Sequence, residues 1–165
     1  MPFAQLIIGP PGAGKSTYCN GMQQFLGAIG RKASIVNLDP ANEHTSYTAA
    51  VDVRELVTLE SIMAGDDTRL GPNGAVLYAL EELENNLDWL ENSLKNLGDD
   101  YLLFDCPGQV ELFTHHDSLR RVVLALVKMG YRVSFSFSLS LSLSCSFFLC
   151  RVRGCVSLFK FLPNS

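Results

Sequence analysis

Long apolar runs, clusters of basic residues and paired cysteine motifs are all missing from this chain, and each absence removes a class of function. No apolar stretch reaches the ~20 residues that a membrane-spanning helix needs. Lys and Arg number 13 against 17 Asp and Glu, for a formal charge of −4. With a pI near 5.3 and no Lys/Arg run, a nucleic-acid-binding face is not expected. The N-terminus lacks a basic n-region, so a signal peptide is not expected either. Five cysteines stand at 19, 106, 145, 150 and 155. The count is odd, no C-x-x-C pair occurs, and the spacing suits no zinc site. Reduced thiols in the cytosol or nucleus are the default reading. At 165 residues there is room for one domain with a proper core.

What is present begins at Gly9. Residues Gly9-Pro10-Pro11-Gly12-Ala13-Gly14-Lys15-Ser16 fit G-x-x-x-x-G-K-[ST]. Each fixed position has a physical task. The glycines let the backbone wrap a phosphate with its N–H groups, between an apolar run (Leu6, Ile7, Ile8) and a helix start. Lys15 reaches the β- and γ-phosphates as a point charge, and the Ser16 hydroxyl is a ligand for Mg²⁺. With Thr17, residues 12–17 form the expected nucleotide-binding set: Gly12, Ala13, Gly14, Lys15, Ser16 and Thr17. A nucleoside triphosphate is the expected ligand.

The flanking pattern reads as alternating strand and helix. A strand over 3–8 leads into the loop, a helix over 15–28 ends near Gly30, and a strand over 33–38 delivers Asp39 at its carboxyl end. Ligands of open α/β sheets sit at such ends, although Asp-Pro-Ala-Asn is equally good turn chemistry. The pattern predicts one or two helices over 51–65, then a rigid turn at Gly71-Pro72-Asn73-Gly74. A long helix over 75–97 should follow, with leucines at 80, 83, 87, 90, 94 and 97 in steps of three and four. Trp89 beside that stripe reads as core. A short apolar strand over 101–104 ends in Asp105, placed for a second Mg²⁺-shell carboxylate. Asp105-Cys106-Pro107-Gly108-Gln109 adds the switch pattern Asp-x-x-Gly, and Gln109 is placed to orient an attacking water. His115 and His116 adjoin Asp117, the expected cap of a helix over 118–129. Adjacent histidines diverge on a regular element, so metal binding there is not expected.

Composition changes near Tyr131. From Ser134 to Ser144 serine alternates with phenylalanine or leucine. Such alternation is the mark of a half-buried strand, but eleven residues of three types read as compositional bias. Codons made only of pyrimidines encode Phe, Ser, Leu and Pro, so the segment reads as a translated pyrimidine tract such as retained intron sequence. The expected division is therefore an incomplete P-loop unit over 1–131 and a Ser/Phe/Leu tail over 132–165 that is foreign to the fold. An added edge strand is the lesser reading of the tail.

Six segments in this order resemble the GPN-loop GTPases: GPPGAGKST (9–17), NLDPAN (37–42), AVDVRELV (50–57), GPNG (71–74), NLDWL (86–90) and FDCPGQVEL (104–112). The likeness spans roughly 3 to 131 and is strongest to the eukaryotic second paralogue group. It implies an α/β P-loop NTPase fold, a three-layer sandwich with a mostly parallel sheet, here C-terminally truncated. It further implies GTP as substrate and Mg²⁺ as cofactor, held by Ser16 and Asp105. Asp39 and Gln109 would place the attacking water. Gly71, Pro72 and Asn73 would reach the phosphates of a partner in a homodimer or heterodimer. Members are implicated in RNA polymerase assembly and nuclear import, so RNA polymerase subunits are implied partners, with a cytoplasmic location and shuttling to the nucleus.

The family's N/S-K-x-D motif, which reads guanine, does not occur: lysines stand at 15, 32, 95, 128 and 160, and none precedes x-Asp. Two alternatives therefore stay open. One is a non-catalytic nucleotide-binding or dimerisation fragment without base recognition. The other is a small P-loop kinase, although no arginine-rich lid is evident.

Overall fold

A computed structural model of the chain describes residues 2–42, 44–58, 71–108, 118–137 and 148–151. Its frame is one six-stranded sheet made of β1 (Phe3–Ile8), β2 (Ala33–Asn37), β3 (Val51–Asp52), β4 (Tyr101–Asp105), β5 (Arg132–Phe137) and β6 (Phe148–Arg151). The spatial order is β3-β2-β4-β1-β5-β6. The first five strands run parallel, and β6 pairs antiparallel with β5. The P-loop strand β1 is thus central, with Leu6 opposite both Phe104 and Phe135.

Alternation along the strands separates two cores. Ala4, Leu6, Ile8, Val36, Leu38, Leu102 and Phe104 point to one face. Their neighbours Ile7, Ile35 and Leu103 point to the other, where they meet Cys19 of α1 (Lys15–Ala28) and Tyr47. The first face is covered by α2 (Pro72–Asn85), α3 (Leu87–Lys95) and α4 (Ser118–Lys128) through Leu80, Leu83, Leu90, Leu94, Leu119, Val122 and Leu126. Helix, sheet and helix form the three layers of an α/β P-loop NTPase.

Several expectations need correction. The stretch starting at Val51 does not open as a helix. Val51 and Asp52 pair with Val36 and Asn37, and a 3₁₀ turn (Val53–Glu55) follows. Asp52 fixes that switch, since its carboxylate accepts from the Arg54 N–H at 2.9 Å. Residues 59–65 lie outside the described set. The rigid turn expected over 71–74 is instead the start of a helix. Gly71 is extended and caps α2, Pro72 holds an early helical position, and the Ala75 N–H donates to the Gly71 carbonyl. Proline suits a helix start because its missing N–H is not needed there.

The long helix over 75–97 is two helices, broken at Asn86 (φ −116°, ψ 37°). The Glu82 carbonyl accepts twice at this point, from the Asn86 backbone N–H at 3.0 Å and from the Asn86 side chain at 2.8 Å. Trp89 packs, partly buried, against the core as expected.

The strongest departure concerns the segment after Tyr131, read as foreign to the fold. Its first six residues are β5, fully registered on β1 from Phe3↔Arg132 to Ile8↔Phe137. Val133 and Phe135 enter the larger core. Ser136 faces the other way and its hydroxyl accepts from Gln5 at 2.6 Å. The alternation that resembles low complexity serves a strand whose two faces differ.

Candidate nucleotide-binding site

At the carboxyl ends of β1, β2 and β4 lies an open cavity of about 550 Å³, lined among others by Gly12, Gly14, Lys15, Ser16, Thr17 and Asp39. A second cavity of about 590 Å³ sits among Pro2, Gly98, Asp99 and Tyr131, at the opposite ends of the strands. The first contains the phosphate-binding pattern and stands where ligands of such sheets bind.

Gly12 (φ +73°) and Gly14 (φ +79°) adopt the left-handed conformation that bends the loop into α1. The Ala13 N–H closes the turn on the Pro10 carbonyl at 3.2 Å. Gly14 caps α1 without a side-chain hydrogen bond, so the first backbone N–H groups of the helix are available to an anion. Lys15 is only 7% exposed, and its ammonium donates to the Pro10 carbonyl at 3.3 Å. Gly108 packs directly on the loop. A Cβ there would stand 2.9 Å from the Pro11 backbone and 3.0 Å from the Lys15 Nζ. No residue but glycine lets the switch segment lie this close.

Asp105, at the tip of β4, is 1% exposed. Its Oδ2 accepts from the Tyr47 hydroxyl at 2.7 Å and from the Asn42 amide at 3.2 Å. Its Oδ1 is buried with no hydrogen-bond partner. The Asn42 amide also donates to the Ser16 hydroxyl at 3.0 Å. A hydroxyl and a carboxylate joined through one amide, with a second carboxylate oxygen unpaired, make a hard-oxygen donor set that fits Mg²⁺. Among the described residues no group of three or more His, Cys, Asp or Glu is arranged to hold a metal.

Charge is managed by the surroundings. Burial pushes the Asp39 carboxyl above the usual range, while the Ala41 N–H and Lys15 pull it down. Burial, then the neighbouring Asp105, hold the Tyr47 phenol far above its ordinary value, so it remains a donor. The buried Cys19 and Cys106 thiols are pushed up for the same two reasons. Asp52 behaves oppositely. Burial opposes its charge, yet hydrogen bonds from Arg54 and Asn37 outweigh it and lower the pKa.

The structure therefore gathers Gly12, Gly14, Lys15, Ser16, Thr17 and Asp39 around one cavity, with Ala13 in the same loop and Asp105 reached through Asn42. Gly71 is exposed at the start of α2; that helix lines the cavity through Val76. Gln109 lies outside the described residues, as do His115, His116 and Asp117. Asn42 sits inside the NLDPAN segment, where the sequence alone can point to it, but no local pattern marks Tyr47.

A family model described as "conserved hypothetical ATP binding protein" matches residues 7–139. GPN-loop GTPase 2 of Danio rerio is 58% identical over 134 residues, covering 81% of this chain and 42% of the relative. GPN-loop GTPase 2 of Saccharomyces cerevisiae is 54% identical over 131 residues, covering 78% and 37%. The crystal structure of an apo-form GTPase from Pyrococcus abyssi superposes with a TM-score of 0.65 at 32% identity, covering 75% of this chain and 49% of that one. The chain thus spans about two fifths of the length of its curated relatives. Among the described residues no helix is long and apolar enough to cross a membrane. Matched motifs, a matched family model and a shared fold agree: the chain belongs to the GPN-loop GTPase family.

Proposed function

We propose that this chain binds GTP in the P-loop cavity and contributes the phosphate half of a GTP-hydrolysing site. One observation carries the reading: behind the P-loop, the Ser16 hydroxyl and the Asp105 carboxylate share a single amide donor, and Asp105 Oδ1 is buried without a partner. A bound cation would satisfy oxygens left this way.

In this reading the loop N–H groups and Lys15 hold the β- and γ-phosphates, and Ser16 and Asp105 hold Mg²⁺. The metal would neutralise charge on the phosphate oxygens. Asp39, at the cavity wall, and Gln109 orient the attacking water. Gly108 carries a backbone N–H against the loop, where the γ-phosphate can be sensed. The rate would come from positioning and charge stabilisation, not from covalent chemistry by the protein. Pairing with a second GPN-loop chain, in a homodimer or heterodimer, would bring Gly71, Pro72 and Asn73 to the partner's phosphates. The family resemblance supports that step, and it alone supports a role in RNA polymerase assembly or nuclear import and movement between cytoplasm and nucleus.

A second reading is favoured by a specific feature, the lack of N/S-K-x-D in these 165 residues. It is triphosphate binding without base discrimination, because a site lacking the polar groups that read a base cannot select it strongly. Competition of a fluorescent GTP analogue by unlabelled GTP and ATP, with phosphate release followed in parallel, separates the two. Selective displacement by GTP with Mg²⁺-dependent release is expected for the first reading. Equal displacement without release identifies the second, and no binding overturns both.

A further inference from the structure

The Asn42 amide nitrogen lies between the two groups assigned to the cation, 3.0 Å from Ser16 Oγ and 3.2 Å from Asp105 Oδ2. Both of its hydrogens are thereby committed. Asn42 is held in this place from outside the cavity. Its backbone carbonyl oxygen accepts from the Arg54 guanidinium at 2.9 Å, and Arg54 is itself paired with Asp52 at 2.6 Å. Asn37 extends the brace, donating to Asp52 at 3.1 Å and to the Asp39 carbonyl at 3.2 Å. The backbone at 42 is therefore anchored to the sheet edge, while the side chain reaches inward alone.

We propose, resting on the reading of Ser16 and Asp105 as cation ligands, that Asn42 is a positioning residue that competes with Mg²⁺. Its amide stands in for the cation when none is bound and swings out when one arrives. The exclusivity is geometric. Mg²⁺ draws its oxygens to about 2.0–2.1 Å, whereas the amide holds the same oxygens at 3.0 and 3.2 Å. An amide NH₂ has no lone pair to offer a metal and turns its hydrogens toward those oxygens. The two cannot occupy the gap together. While seated, Asn42 keeps Ser16 and Asp105 in register and leaves Asp105 Oδ1 unpaired, so a ready partner remains for an incoming cation. Anchoring by Arg54 means that only the Asn42 side chain has to rotate.

The test is the Mg²⁺ concentration that half-maximally tightens binding of a fluorescent GDP analogue to the 165-residue chain. Removing the competing donor in Asn42→Ala should lower that midpoint about 10- to 100-fold, the worth of one hydrogen bond to a charged acceptor. Asn42→Asp, which replaces donors by acceptors, should lower it further. A second readout needs no variant activity: the Asn42 side-chain amide resonance, identified by its loss in Asn42→Asp, should shift on adding Mg²⁺ with GDP but not GDP with EDTA. Equal midpoints in all three chains would overturn the proposal, even if Asn42→Ala melts earlier. A higher midpoint in Asn42→Ala would overturn it by making Asn42 a helper of the metal. If the wild-type chain bound no nucleotide at all, the phosphate-site reading would fall first and the proposal with it.

Discussion

Asp39 and Asp52, at neighbouring strand ends, sit in environments of opposite sign. Asp39 is partly withdrawn from water, and burial dominates the support from the Ala41 N–H and Lys15. Its folded-state pKa is raised, so the charged form costs stability at neutral pH, and that cost disappears as pH falls through the folded pKa. Asp39→Asn keeps an oxygen for the Ala41 N–H, now 3.0 Å from Oδ1, and removes the buried charge. The variant should melt at a higher temperature than wild type at about pH 7, with the difference shrinking toward about pH 4. Thermal unfolding at the two pH values checks this, and a less stable variant at neutral pH would contradict it. Asp52 has the reverse linkage. Its lowered pKa gives stability that is present above the unfolded value and lost as pH falls.

Among the elements, α3 shows most plainly what the leucine spacing contributes. Leu90 and Leu94 are buried at 1% and 0% exposure, whereas Leu97, beyond the helix end, is only partly covered. Leu94→Ala should lower unfolding stability by about 2–5 kcal/mol and Leu97→Ala by clearly less, measured by denaturant titration. Comparable losses would mean that the stripe does not face the sheet. The same stripe explains a limit of the sequence reading. Its three-and-four rhythm runs unbroken through Asn86, so periodicity could not show the break where the Asn86 backbone leaves the helical conformation. β1, α1, β2, β4 and α4 were legible because their signals are local: apolar runs, the P-loop glycines and an amphipathic face. β3 is two residues long and exists through its pairing with Val36 and Asn37, which no local window contains. The site divided in the same way. The loop from Gly12 to Thr17 could be read directly, but Tyr47 meets a carboxylate 58 positions later.

At the scale of the molecule, β5 carries the sheet past the boundary that composition suggests. Composition placed a boundary at Tyr131, but the P-loop strand pairs with β4 on one side and with residues 132–137 on the other. A strand of serines and phenylalanines looks biased only until its faces are separated. Val133 and Phe135 fill the core, while Ser136 meets Gln5, which also donates to Tyr18 and accepts from Tyr101. A chain ended after Tyr131 leaves β1 as an exposed, apolar edge. It should lose cooperative unfolding and aggregate, whereas a chain ended after Phe137 should keep a sharp transition. Equal behaviour of the two would show that β5 is dispensable.

The central claim is that this fold presents a nucleoside triphosphate site at Gly12–Thr17, and the binding of a fluorescent GTP analogue with Mg²⁺ to wild type and Lys15→Ala tests it most directly. Lys15 is buried against the loop, and in the proposed reading its ammonium is the point charge for the β- and γ-phosphates. Loss of that charge-assisted contact should weaken binding at least ~10- to 100-fold, with the far-ultraviolet spectrum unchanged. Equal affinity for the two chains would contradict the account.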